Sequence, residues 1–339
     1  MDELNSREGR TTLARRFSLM AAGLGFWVAN LALGTELELV QTIPMPNVGG
    51  RIDHMAVDAA GERLFIAALG NNTVEVIDLK RGTRVRSMPG FGEPQGLAYV
   101  AQSNRLFVAS GNANRVDIFD ATSLAPIRRV DGLEDADNVR YDAKARQIYV
   151  GYGKGALRVL DAATGEASGE LKLSGHPESF QLEDGSGRIF VNVPTANHIA
   201  VLDRVQRKIV ATWELHGAAA NFPMTLDEAG HRLFVGVRRP AELLVYDTDS
   251  GKLITRLPIG GDTDDVFFDA AKRRIYAICG QGLISVVQQG DADRYTVLEA
   301  VRTAPGARTG LFVAALQRLY VAAPARGGSE AEVRVYSVR

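Results

Sequence analysis

Apolar and polar residues alternate along this chain in short runs broken by small turns, and the runs recur as a unit. The first clear copy, residues 53–66, reads as a short alternating strand, a turn at Ala59-Ala60-Gly61, and a second strand entered through a basic residue, Arg63-Leu64-Phe65-Ile66. The pattern of basic residue, Leu or Ile, Phe or Tyr, and small aliphatic returns at Arg105-Leu106-Phe107-Val108, Arg188-Ile189-Phe190-Val191, Arg232-Leu233-Phe234-Val235, Arg274-Ile275-Tyr276-Ala277 and Arg318-Leu319-Tyr320-Val321. Gln147-Ile148-Tyr149-Val150 fills the one gap, so successive steps are 42, 42, 41, 44, 42 and 44 residues.

A period near that length, with strand chemistry inside each unit, predicts an all-β, seven-bladed propeller with four-stranded blades. After the anchor strand comes a third strand, as in Val74-Glu75-Val76-Ile77-Asp78 and Leu157-Arg158-Val159-Leu160-Asp161. It ends in an Asp-led turn, often with glycine four residues on (Gly82, Gly165, Gly251), and a more polar fourth strand closes the unit. The seventh unit stops after three strands, while residues 37–44 resemble the fourth strand at 251–258. The N-terminal strand is therefore expected to complete the last blade and close the ring. No helical period is sustained after residue 34, which argues against a helical repeat.

Composition adds limits. The chain of 339 residues is 46% hydrophobic with 35 glycines, carries a formal net charge of -1, and has one cysteine, Cys279, which reads as a buried small hydrophobe. Neither a nucleic acid nor an anionic membrane is called for as partner. Residues 1–34 differ in kind, with Arg7, Arg10, Arg15 and Arg16 ahead of an uncharged stretch at 17–34. They read as an export leader cut after Gly34, leaving a propeller at 35–339 in the periplasm or secreted. Arg15-Arg16 suits a twin-arginine signal, although Ser18 stands where a large apolar residue is wanted. An uncleaved anchor is the competing reading, and the only expected membrane contact.

The Leu-Phe-Val anchors and the Val-x-Val-Ile-Asp strand with its glycine turn resemble the YVTN-type β-propeller repeats of exported bacterial proteins, the YncE-like group. The resemblance covers about the whole of the chain after the leader. It implies an exported binding propeller, and for some members an association with DNA. The slightly acidic charge, without a basic stripe interleaved with aromatics, departs from that last expectation.

The innermost strand of a propeller blade lines the central channel. Ten positions before each anchor stand Asp53, Gln95, Asp137, Glu178, Phe222, Asp264 and Arg308, and the neighbouring column adds His54, Asn138, Ser179, Asp265 and Thr309. One position earlier stand Pro94, Pro177 and Asn221, with His176 one further back. Two readings stay open. The carboxylates converge with Asn and His on a ligand, either a Ca²⁺, Mg²⁺ or Mn²⁺ ion or a cationic molecule, or they cap turns around a water-filled channel. Crowded carboxylates need compensation, and Arg308 is the candidate partner. Glu178, Asn221 and Asp264 are the candidate metal ligands, similar in type to the axial Glu, Asn and Asp of gluconolactonase-like propellers. His198, His216 and His231 read as surface or loop residues, and Arg238-Arg239-Pro240 as a solvated basic turn.

The expected function is a monomeric, exported binding protein with a small-molecule or envelope-protein site at one channel mouth, with no catalysis assumed. A metal-dependent hydrolase or lactonase using the axial carboxylates is the alternative, and an envelope scaffold or DNA-associated propeller the third.

Overall fold

The computed structural model describes residues 36–339; the leader read at residues 1–34 lies outside the described residues. Seven four-stranded antiparallel sheets follow one another in chain order. The innermost strands are Met55–Asp58, Pro94–Val100, Val139–Asp142, Phe180–Leu182, Ala219–Asp227, Thr263–Asp269 and Gly310–Val313. Blade 7 takes its outermost strand, Leu37–Met45, from the other end of the chain, where it pairs antiparallel with Ala331–Val338. The seven-bladed propeller expected from the repeat is the fold.

The anchor pattern has a direct explanation in packing. Successive strand residues face opposite sides of a sheet, and each anchor strand is covered on both. Leu64 and Ile66 of blade 1 pack with Tyr320 and Val333 of blade 7, while Phe65 packs with Leu97 and Leu106 of blade 2. Aliphatics thus face the preceding blade and the aromatic faces the following one. The basic residue at the head of the anchor reaches forward as well. Arg188 donates to the Thr248 carbonyl at 2.5 Å and Arg232 to that of Ala292 at 2.8 Å. Arg63 likewise bonds the Ala121 carbonyl, each acceptor lying just past the third strand of the next blade.

The Asp-led turns form as the sequence indicates. At Asp78, Asp161 and Asp247 the carbonyl accepts the amide four residues on at 2.8, 2.8 and 2.9 Å, and Gly82, Gly165 and Gly251 take the positive φ this requires.

The closing strand supplies the test of this architecture. Ile43 is fully buried, and Leu39, on the same strand, is 49% exposed. Ile43→Ala should cost about 2–5 kcal/mol in urea unfolding and Leu39→Ala less than about 1 kcal/mol. Equal effects would mean that the strand does not seal blade 7.

Candidate functional site

A repeated irregularity shapes one mouth of the channel. In blade 1 the amide of Asp53 donates to the Ala67 carbonyl at 2.7 Å, and the Ala67 amide donates to the carbonyl of His54 at 3.0 Å. Two residues of the inner strand therefore stand opposite one residue of the anchor strand, which is a β-bulge. Asp137 and Asn138 stand opposite Gly151 in the same way, and Glu178 and Ser179 opposite Asn192. In blades 2, 5 and 6 the pairing register shifts at the same level, between Pro94 and Leu97, Asn221 and Met224, and Thr263 and Asp265. A regular strand sends neighbouring side chains to opposite faces; the bulge lets both contribute to the axial region. In blade 2 the second bulge residue is Gly96, where a Cβ would lie 2.1 Å from the Asp137 carbonyl oxygen of the next blade.

The bulges bring Gln95, Asp137, Glu178, Phe222, Asp264 and Arg308 around one polar cavity of about 170 Å³. Asp53 lies beside it, 2.5 Å from Arg51. Below them, His54 and Asp265 line the channel proper, and Asn138 is buried, its amide 3.4 Å from an oxygen of Asp137. Asn221 is not brought to the cavity. It stands outside the bulge of its blade, and its fully buried amide donates to Asn192 Oδ1 at 2.8 Å and to the His198 carbonyl at 3.0 Å. Asn221 therefore ties blade 5 to blade 4, and Glu178, Asn221 and Asp264 do not form one ligand set.

A second ring surrounds the first, twelve positions before the anchors, where Arg51, Asp135, His176 and Asp262 stand. Arg238 joins them from the end of the blade 5 anchor strand, Arg232–Arg239. Instead of lying in a solvated turn, its guanidinium stacks on Phe222 at 4.0 Å and bonds Asp264 at 2.5 Å. Arg239 beside it is exposed, and nothing in the sequence distinguishes the arginine that turns inward from the one that does not.

Charge is divided unequally around the mouth. Arg308 meets Asp264 at 3.0 Å and Asp262 at 3.1 Å, and Arg238 meets Asp262 at 3.3 Å. Burial raises the pKa of Asp264, and the two guanidiniums hold it back. With Arg51 on Asp53, three arginines serve three aspartates on this side. Although Lys154 lines a neighbouring cleft with Asp135 and His176, among the described ion pairs none joins an arginine or lysine to the mouth carboxylates of blades 3 and 4. There Asp135, Asp137 and Glu178 share only His176, whose Nδ1 lies 2.7 Å from the Gly153 carbonyl, 3.7 Å from Asp135, with Nε2 3.9 Å from Asp137. Burial and the charge of Asp137 push the Glu178 carboxyl up to about 8. Burial lowers the His176 pKa, but the hydrogen bonds and charge of Asp137 and the Gly153 carbonyl carry it to about 9. One potential ligand atom from each of Asp137, His176 and Glu178 lies within 4.8 Å of the others.

No protein-family model matches the chain, and no curated protein matches it. Among solved structures, hydrazine synthase of Kuenenia stuttgartiensis superposes with a TM-score of 0.74 at 14% identity, covering 84% of this chain and 94% of that one. A chain from the crystal structure of the mitotic checkpoint complex gives a TM-score of 0.74 at 12% identity, covering 99% of each. At such identities the likeness establishes the propeller fold alone.

His54 provides a pH test of the axial network. Its Nε2 lies 3.6 Å from Asp53 and its Nδ1 3.4 Å from Asp265. Burial lowers its pKa, but Asp265 and Asp53 outweigh this and raise it from the ordinary 6.5 to about 10. A histidine with a raised folded pKa contributes stability that is complete below 6.5 and lost as pH rises through about 10. His54→Gln should accordingly be less stable than wild type at pH 6, with the gap shrinking steadily towards pH 10 in urea melts. A gap independent of pH would mean that the imidazolium is not held by these carboxylates.

Proposed function

We propose that this chain is an exported binding propeller of the YVTN type that takes a small cation at one mouth of its channel, between blades 3 and 4. The observation that carries the reading is the charge deficit there. Every aspartate of blades 6 and 1 at the mouth has an arginine, whereas Asp137 and Glu178 have none. Asp137 is 7% exposed, and the nearest cationic atom to its Oδ2 is His176 Nε2 at 3.9 Å. Confined carboxylates either hold a proton, as Glu178 does with its pKa at about 8, or take a counter-charge, and a metal cation that enters displaces the protons of Glu178 and His176.

Two carboxylates and an imidazole are donors for a divalent metal ion. Oxygen donors alone suit Ca²⁺ or Mg²⁺; the imidazole nitrogen moves the preference to Mn²⁺ or Zn²⁺. Asp137, His176 and Glu178 replace Glu178, Asn221 and Asp264 as the proposed ligand set. Export rests on the basic and then uncharged composition of residues 1–34. Binding is preferred over hydrolysis because a charge deficit calls for an ion and not for a reaction. The same ring occurs in a synthase and in a checkpoint complex, so the scaffold itself does not choose.

Calorimetric titration and thermal unfolding of the full chain with Mn²⁺, Zn²⁺, Ca²⁺ and Mg²⁺ test the reading. Mn²⁺ or Zn²⁺ should raise the melting temperature, and Glu178→Gln should weaken binding by roughly tenfold or more without lowering the metal-free melting temperature. No shift with any ion, or one that survives Glu178→Gln, would refute it.

A further inference from the structure

Below the mouth the channel widens into a second chamber of about 310 Å³, lined by innermost-strand residues from all seven blades. Its central level is the position seven before each anchor, where the residues are unlike one another. Arg140 of blade 3 is followed around the ring by Gln181 and Thr225 of blades 4 and 5, and then by Phe267 and Leu311 of blades 6 and 7. At this level one sector is polar and cationic and the next is apolar.

Arg140 has no carboxylate of its own among the described ion pairs. One guanidinium nitrogen donates to the Val139 carbonyl at 2.9 Å, and another reaches Ser179 Oγ only at 3.4 Å. The nearby Asp265 is already engaged, accepting the Gly310 amide at 2.9 Å on one oxygen and facing His54 at 3.4 Å on the other. Burial lowers the pKa of Arg140, with Asp265 and Asp137 countering at longer range. A guanidinium nevertheless stays protonated, and although the Phe180 ring lies under it at 5.6 Å, a ring face is no counter-ion and the enclosed charge is costly. His54 is flanked by Asp265 and, from the mouth, by Asp53 at 3.6 Å, which leaves Arg140 as the chamber's cation without a carboxylate of its own.

We propose that this chamber is a second binding site, distinct from the cation site at the mouth, and that its ligand is a small organic carboxylate. The planar fork of Arg140 matches a carboxylate through two parallel N–H donors. The Ser179 hydroxyl, which only accepts in the hydrogen bonds described, is free to donate its proton to the same group. Phe267 and Leu311 offer the apolar surface that an inorganic oxyanion does not need and an organic body does. A volume of 310 Å³ corresponds to about ten waters at ~30 Å³ each, which suits a ligand of about ten non-hydrogen atoms.

The test uses the full chain in a low-salt zwitterionic buffer, with sodium benzoate, acetate, phosphate and chloride as probes. Benzoate should raise the melting temperature by several degrees and exceed the other three. Arg140→Met should abolish that response while leaving the anion-free melting temperature equal or higher, because an unpaired enclosed charge has been removed. Should Arg140→Met fail to fold, Arg140→Lys keeps the charge without the fork and should weaken benzoate by roughly tenfold. Glu178→Gln should keep the benzoate response, so the two sites fail separately. The proposal is overturned if no probe stabilises wild type, if phosphate or chloride matches benzoate, if Arg140→Lys binds benzoate as tightly as wild type, or if Arg140→Met retains the response. Loss of the response in Glu178→Gln would also overturn it as a separate site.

Discussion

The antiparallel pairing of Leu37–Met45 with Ala331–Val338 turns seven sheets into a ring. It joins segments about 290 residues apart, yet loop-closure entropy grows only with the logarithm of length, so this contact costs little more in stability than a nearer one. Its structural effect reaches the axis. Blade 7 meets blade 1 there through the Thr309 hydroxyl, which donates to the Ile52 carbonyl at 3.0 Å. Arg308 and Arg51, which neutralise the mouth on that side, share one cavity only because the first and last units are neighbours. Closure therefore sets the electrostatics of the mouth as well as the shape of the ring.

Within the ring, the bulge decides which residues do chemistry. Regular alternation would send one of each neighbouring pair into the space between blades. The extra residue delivers Asp53 with His54, Glu178 with Ser179, and Asp264 with Asp265 to the axial network. The upper member of each pair belongs to the mouth and the lower to the channel. The two levels are thus one backbone device repeated around the ring, filled with different side chains.

The sequence was legible where the seven units agree. Anchors such as Arg63-Leu64-Phe65-Ile66 declared their strands because both faces of the sheet are buried, and the Asp-led turns because Gly82, Gly165 and Gly251 must adopt positive φ. The mouth column was readable from the same alignment, since residues at equal distance from an anchor occupy equal depth. Asn221 was misplaced because its column lies just outside the bulge, where alternation resumes, and a register shift leaves no mark in composition. Arg238 was missed because its direction depends on Phe222 and Asp264 of other strands. Arg140 does carry a mark in the sequence: at the level seven before the anchor it is the one arginine among Ala56, Ala98, Gln181, Thr225, Phe267 and Leu311, but its lack of a counter-ion depends on contacts that only the fold creates.

That irregularity follows from the geometry of a closed ring. Seven copies of one charged residue at the axis would place seven like charges around a space of a few hundred cubic ångströms, where poor solvation magnifies their repulsion. A repeat protein must therefore depart from its own repeat at the axis, even while the anchor strands keep it. Here the departure separates the charges by sector and by depth. Arginines neutralise blades 5 to 1 at the mouth, carboxylates remain in excess at blades 3 and 4, and one level down Arg140 has no carboxylate of its own. Deletion of any one of the mouth arginines weakens the neutralisation of the aspartates it serves, so that part of the pattern is held by mutual charge as well as by sequence. The ring thus offers two neighbouring environments of unlike charge on one axis, the upper proposed for a cation and the lower for an anion.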